Sequence, residues 1–313
     1  MYSIKRISHS EFVPIRGLDY HVRRWGNPAP CKTTLVLLHG WMDVAASFQF
    51  VVDALAREHF IIAPDWRGFG LTQSGGADAF WFPDYLADLD ALLDHYALGQ
   101  SVDLVGHSMG GNVAMIYAGV RPERVRRLVN LEGFGMPATR PEHAPGRYAQ
   151  WLDEIKRLRS GELHLKTYDS LDAVARRLMK TNARLGTDKA RWLAGHWSAE
   201  LAPGQWSILG EAAHKVTSAQ LYRVDEVLAI FRNIKAPTLM VEAEDDSMAH
   251  WWKGKFTHAE HRERMNSVAN LEIVQVTDCG HMLHHDQPQA VAALIEGFLE
   301  ASQTGSVSKI SGV

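Results

Sequence analysis

A serine, a histidine and two carboxylates carry the clearest chemistry of this chain. Ser108 stands at the centre of Gly106-His107-Ser108-Met109-Gly110, entered by the apolar run Val102 to Val105 and left by a helical segment, Asn112 to Ala118. A strand that turns this sharply into a helix forces its middle residue into a strained conformation. That is tolerable only if the residues two before and two after lack side chains, and both are glycine. The serine hydroxyl then stands clear of the backbone, and the amide of Met109 points to where an oxyanion would form. Helix amides and dipole favour negative charge there. The bare pattern arises by chance about once in ten chains of this length, so its weight comes from the strand before it and the helix after it.

A serine hydroxyl is a poor nucleophile until a base takes its proton, so the motif needs a histidine oriented by a carboxylate. His281, in Asp278-Cys279-Gly280-His281, follows a late strand and precedes the last helix, and its glycine lets the loop swing the imidazole back across a sheet. His284 and His285 lack such a turn. Two positions offer the acid. Asp246, in Glu244-Asp245-Asp246 just past the run Thr238 to Ala243, is the first choice, with Asp245 its near neighbour. Glu132, just past Val125 to Leu131, is the alternative.

The elements that must position these residues alternate. Phe12 to Trp25 reads as a hairpin with Gly17 in its turn, and Thr33 to Leu38 as a buried parallel strand ending in His39-Gly40-Trp41. Phe48, Val51, Val52 and Leu55 share a helical face, and Phe60 to Ala63 is the next strand. A helix through Tyr85, Leu89, Leu92 and Tyr96 stops near Gly99. Strand alternating with helix argues for an α/β protein with a mostly parallel sheet covered on both faces. From Phe134 to Asn233 the pattern is helical with no convincing strand: Tyr148, Trp151, Leu152, Ile155 and Leu158 make one face, and Leu171, Val174 and Leu178 another. Strands resume at Thr238 to Ala243 and Leu271 to Val276, and a last helix runs from Pro288. The expected division is a core of 1–133 and 234–301, a helical cap of 134–233 inserted between two sheet strands, and a disordered Ser- and Gly-rich tail of 302–313. Such an insert sits over the carboxyl ends of the strands, where α/β proteins bind ligands.

Composition narrows the classes. The chain has 313 residues, 46% hydrophobic and 22% charged, with a formal net charge of -3, which gives no electrostatic footprint for nucleic acid or an anionic membrane. Two cysteines, Cys31 and Cys279, are too few for a disulfide framework and suit a reducing compartment. With no signal-like start and no apolar run approaching the roughly 18 residues of a bilayer span, the expected location is the cytoplasm. Among sixteen histidines no pair has a ligand frame: His258 and His261 lack partners, and His284-His285 reads as loop. No metal and no organic cofactor are expected. The segment Arg140 to Lys235 is slightly basic, with 16 Lys or Arg against 11 Asp or Glu.

With the glycine-flanked Ser108, His281, an acid between them in chain order and His39-Gly40-Trp41 upstream, the chain resembles the α/β-hydrolase superfamily over nearly all its length except the tail. The resemblance implies Ser108 as nucleophile, His281 as base, the amides of Trp41 and Met109 as oxyanion hole, and the insert as cap. Asp65-Trp66-Arg67-Gly68-Phe69-Gly70 is similar to the family's turn after the following strand. Ala213-His214-Lys215 and Leu221-Tyr222-Arg223 resemble the branch called serine hydrolase-like proteins. Two features depart from the pattern. Glu242-Ala243 stands where the family usually has glycine at the second position, and Glu132 occupies the place of the acid in some haloalkane dehalogenases. Serine at the elbow argues against dehalogenase or epoxide hydrolase chemistry, which needs aspartate there. The expected function is cleavage of a carboxylic ester or related acyl bond of a small molecule through a Ser-His-acid triad and an acyl-enzyme. Trp41, Met42, Phe134, Met136 and Met282 are expected to line the substrate pocket. The alternatives are a cofactor-free perhydrolase or C–C bond hydrolase on the same triad, or a catalytically weak ligand-binding module.

Overall fold

Arg16 and Gly17 both take positive φ, 47° and 79°, the two-residue turn whose twist suits a hairpin. It joins β1 (His9–Ile15) to β2 (Leu18–Trp25) with Ile15 facing Leu18. The structure, a computed structural model, describes residues 2–29 and 33–301. Cys31 and the tail 302–313 lie outside the described residues. Next come β3 (Leu35–Leu38), a short helix α1 (Gln49–Val52) and β4 (Ile61–Pro64), every residue of them buried. The helix α2 (Phe82–Tyr96) has proline in its first turn and buries Tyr85, Leu89, Leu92 and Leu93. Then β5 (Val102–His107) runs straight into α3 (Met109–Val120), followed by β6 (Val125–Leu131).

The alternation stops there, and α4 (Ala144–Arg159), β7 (Thr167–Tyr168), α5 (Leu171–Thr181), α6 (Thr187–Trp197), β8 (Ser198–Ala202), β9 (Gln205–Ile208) and α7 (Val224–Arg232) intervene. The chain then returns to the sheet with β10 (Thr238–Ala243), α8 (Ser247–Trp252), α9 (His258–Met265), β11 (Leu271–Val276), α10 (Leu283–Asp286) and α11 (Pro288–Glu300). The eight-stranded sheet has the order β1-β2-β4-β3-β5-β6-β10-β11. β2 is antiparallel to both its neighbours and every pair from β4 to β11 is parallel.

The apolar runs of the central strands follow from cover on both faces. Val36, Leu104 and Leu128 pack on one side with Leu89 of α2 and Val113 and Tyr117 of α3. Their sequence neighbours Leu35, Leu37, Val105 and Val129 point the other way, to Val51 of α1 and Val291 and Ile295 of α11. This two-sided burial holds the carboxyl ends of β3, β5 and β6 side by side, and the candidate nucleophile stands on that edge.

The insert is not purely helical: β7, β9 and β8 form a small antiparallel sheet in that order. Its strands are two to five residues long and half-exposed, so they carry no apolar alternation, and β8 turns into β9 at Pro203-Gly204 with Gly204 at φ 71°. The insert is anchored through α5 and α6. Val174, Ala175, Leu193 and Ala194 pack with Val44, Ala46 and Phe50 from the segment after β3, and the indole of Trp197 donates to the carbonyl of Met42 at 2.9 Å. The amphipathic face expected to bury α4 stays open: α4 buries no residue, and Tyr148 and Leu152 are exposed. No helix among the described residues is long and apolar enough to cross a membrane.

Candidate active site

Ser108 takes φ 51° and ψ −114°, the strained geometry that its flanking glycines imply. A Cβ on Gly106 would run into the carbonyl of Gly110, and one on Gly110 into the carbonyl of Leu38. Any side chain at either position would therefore force backbone against backbone and shift the elbow. Ser108 accepts no side-chain cap duty for α3, which leaves its hydroxyl free for another partner. That partner is His281, whose Nε2 lies 3.0 Å from Ser108 Oγ.

The acid facing His281 is Glu132. Its Oε2 is 3.3 Å from His281 Nδ1, and its side chain is 1% exposed. Glu132 has φ 58°, a left-handed conformation that turns it inward from the end of β6. Asn130 pins that turn, its amide donating to the carbonyl of Gly133 at 2.8 Å and its oxygen accepting the Gly133 N–H at 2.9 Å. The second carboxylate oxygen accepts from the Ala243 amide at 2.7 Å, so the group is fixed at both oxygens.

Asp246, the first choice from sequence, is elsewhere. It caps α8, accepting from Ala249 N–H at 2.8 Å, and lies 3.2 Å from His258 with its side chain 57% exposed. The reason is local: an aspartate just ahead of a helix finds the unpaired amides of the first turn, whereas the turn after β6 aims its acid into the interior. Asp245 is also outward, bound by Arg184 at 2.6 Å. Arg184, from the insert, also reaches Asp278 at 3.3 Å, and Asn182 donates to Asp286, which accepts from Gly280. The turn bearing His281 is thus tied to the insert on one side.

The segment His39-Gly40-Trp41 runs beside Ser108: a Cβ on Gly40 would lie 3.2 Å from that of Ser108. His39 is fully buried and accepts the amide of Trp66 on Nε2 at 2.9 Å while its Nδ1–H donates to the carbonyl of Gly40 at 2.7 Å. Burial holds its pKa down at about 4, so it acts as a neutral clip between two turns. Asp65 stays ionised despite its burial, because hydrogen bonds from His21 and Ala45 hold its carboxyl below the usual range. The Asp65-to-Gly70 turn is therefore a structural knot around a buried carboxylate.

Of the expected pocket residues, the Trp41 side chain is exposed and Met42 is half-buried under the insert at φ 55°. Met136 is exposed, and Met282 caps the start of α10. Phe134 is buried and packs edge-on against His258 and His261 of α9 at 5.4 and 5.0 Å. Trp251 was not legible as a site residue, yet its exposed indole lies 5.9 Å from the His281 ring. Sequence reading also missed His107, buried inside the elbow, whose Nε2–H donates to the main-chain carbonyl of His281 at 2.7 Å. His284 and His285, expected in a loop, are buried in α10. The Asn-x-x-Gly spacing of Asn130 and Gly133 was the available signal for a turn that presents Glu132.

These contacts, on a mostly parallel sheet with Ser108 at a strand-to-helix elbow, define a class of fold. A family model described as the alpha/beta hydrolase fold matches residues 33–288, and the chain belongs to that family. It is 24% identical to a serine hydrolase-like protein of Danio rerio, covering 98% of this chain and 93% of that protein. It is 32% identical to 2-hydroxymuconate semialdehyde hydrolase of Pseudomonas sp. (strain CF600), covering 88% of this chain and 89% of that enzyme. Among solved structures it is similar to the thioesterase domain from the curacin biosynthetic pathway, with TM-score 0.80 and 21% identity over 93% of this chain and 99% of that domain.

Proposed function

We propose that the chain is a serine hydrolase that cleaves a carboxylic ester or related acyl bond of a small molecule. The observation that carries this is the contact of Ser108 Oγ with His281 Nε2 at 3.0 Å while Glu132 faces the other ring nitrogen. In this reading the Glu132 carboxylate accepts the Nδ1–H, fixing the tautomer that leaves the Nε2 lone pair aimed at the hydroxyl. Ser108 attacks the carbonyl carbon and its proton passes to His281. The amides of Met109 and Trp41 receive the oxyanion, each worth about 3 kcal/mol in comparable sites. The imidazolium returns the proton to the leaving alcohol, and water repeats the sequence on the acyl-enzyme, releasing the acid and restoring Ser108. Glu132 takes the role of orienting acid in place of Asp246. The insert acts as the cap, with Trp41, Met42, Met282 and Trp251 bordering the acyl site.

Hydrolysis of nitrophenyl esters of rising acyl length tests the reading, with Ser108→Ala beside the wild type. Loss of at least about a thousandfold in kcat in the variant is expected; turnover equal in both forms would sink it. A second reading keeps the same residues and changes the bond. The 32% identity to an enzyme named for 2-hydroxymuconate semialdehyde favours hydrolysis of a carbon–carbon bond beside a carbonyl. Cleavage of a 2-hydroxy-6-oxo-dienoate with inert esters would select it.

A further inference from the structure

A cluster that the hydrolytic reading leaves unused lies one residue from the nucleophile. Asp43, His107 and His284 come from the segment after β3, the end of β5 and the start of α10. Each offers one ligand atom, and the three atoms lie within 4.8 Å of one another. All three residues are buried, at 6%, 2% and 0% exposure. Each also keeps a buried polar atom with no partner: Asp43 Oδ2, His107 Nδ1 and His284 Nδ1. Leaving three such atoms unsatisfied costs about 1–3 kcal/mol apiece. Asp43 Oδ2 makes no direct bond to His284: the ring nitrogen facing it is Nε2, 3.9 Å away and itself 3.3 Å from Ser47 Oγ.

We infer that Asp43, His107 and His284 bind one divalent transition-metal ion of the zinc class. His107 already has the form of a ligand. Its Nε2–H donates to the His281 carbonyl, which fixes the tautomer and leaves a lone pair on Nδ1, the arrangement by which main-chain carbonyls orient metal-bound histidines. The donor set selects the ion: two imidazoles and one carboxylate suit zinc, cobalt or nickel, whereas magnesium and calcium take oxygen. Bonds of about 2.0–2.2 Å put tetrahedral ligand atoms roughly 3.3–3.5 Å apart, so the cluster must contract by up to about 1.5 Å around the ion. Contraction pulls on His107, which holds the carbonyl of His281, and on His284, three residues along from it. The His281 ring then leaves its register with Ser108, and the ion inhibits. That last step rests on the hydrolase reading; the site itself does not.

The test uses the full chain, treated with chelator and titrated with Co2+ alone while its d–d absorption is recorded, then with Zn2+ in competition. One Co2+ per chain, displaced by Zn2+ and bound at least about tenfold more weakly by Asp43→Asn and by His284→Gln, is the expected result. No stoichiometric uptake, or uptake unchanged in both variants, overturns the site. With nitrophenyl esters, one equivalent of Zn2+ should slow the wild type several-fold and leave both variants unaffected. A wild type that binds one ion and turns over unchanged overturns the inhibition. If no form hydrolyses any ester the hydrolase reading fails, and the cobalt spectrum still decides the site.

Discussion

At the scale of residues, the decisive comparison is between Glu132 and Asp246. Both are carboxylates just past a parallel strand, and chain order admits either. What separates them is solvent and competition. Glu132 is buried, pinned through Ala243 and turned in by a left-handed backbone, whereas Asp246 is exposed and already engaged by the first turn of α8. Glu132→Gln should therefore lower kcat by about 10³–10⁴, because the amide favours the wrong tautomer of His281. Asp246→Asn should stay within a few-fold, since asparagine still caps a helix. Steady-state kinetics on one ester decides it, and the reverse order of effects would return the role to Asp246. The place of Ser108 on a strand-to-helix elbow was legible because glycine spacing is a backbone requirement written into sequence. Which carboxylate faces His281 was not, because that depends on how two turns fold, and the turn after β6 is set by Asn130 pairing across to Gly133.

At the scale of elements, the sheet and its covering helices were readable because burial on both faces imposes apolar runs, unbroken in Leu35–Leu38 and Ile61–Pro64. The small sheet of the insert was not, because residues such as Glu200, Leu201 and Gln205 face solvent and nothing constrains their order. Nor was the open face of α4, whose apolar spacing is that of a buried helix. The same distinction between constrained and free positions yields a prediction on glycine. Gly110→Ala would force α3 away from the carbonyl of Leu38 and should cost about 1–3 kcal/mol or more. Gly297→Ala, in α11 with nothing near the added methyl group, should gain up to about 1 kcal/mol from helix propensity. Thermal unfolding of the two variants beside the wild type checks both signs. A Gly110→Ala protein as stable as wild type would show that the close approach of α3 to β3 is dispensable.

At the scale of the whole molecule, the histidines set the response to acid. Burial holds His39 and His261 down at about 4 and His214 at about 3. The last is stacked between Phe69 and Phe80 with ring centroids 3.6 and 3.7 Å away. His285 is held at about 3 by burial and then by the charge of Lys189. In the unfolded chain all of these titrate near 6.5. Below that pH the unfolded chain binds protons that the folded chain refuses, so these groups stabilise the fold fully above about pH 7 and lose that contribution as pH falls toward 4. Asp43, pushed up to about 7 by burial, and Asp103 and Asp286, raised by the same cause, act in the opposite sense, but they are fewer. Each neutral imidazole held near 4 forfeits about 2 kcal/mol between pH 7 and pH 5. Urea unfolding should accordingly show stability falling by several kcal/mol over that interval, well before ordinary carboxylates protonate. A midpoint that stays level from pH 7 to pH 5 would mean that these histidines are charged in the folded protein, and that the clip His39 makes between Trp66 and Gly40 is not the one described.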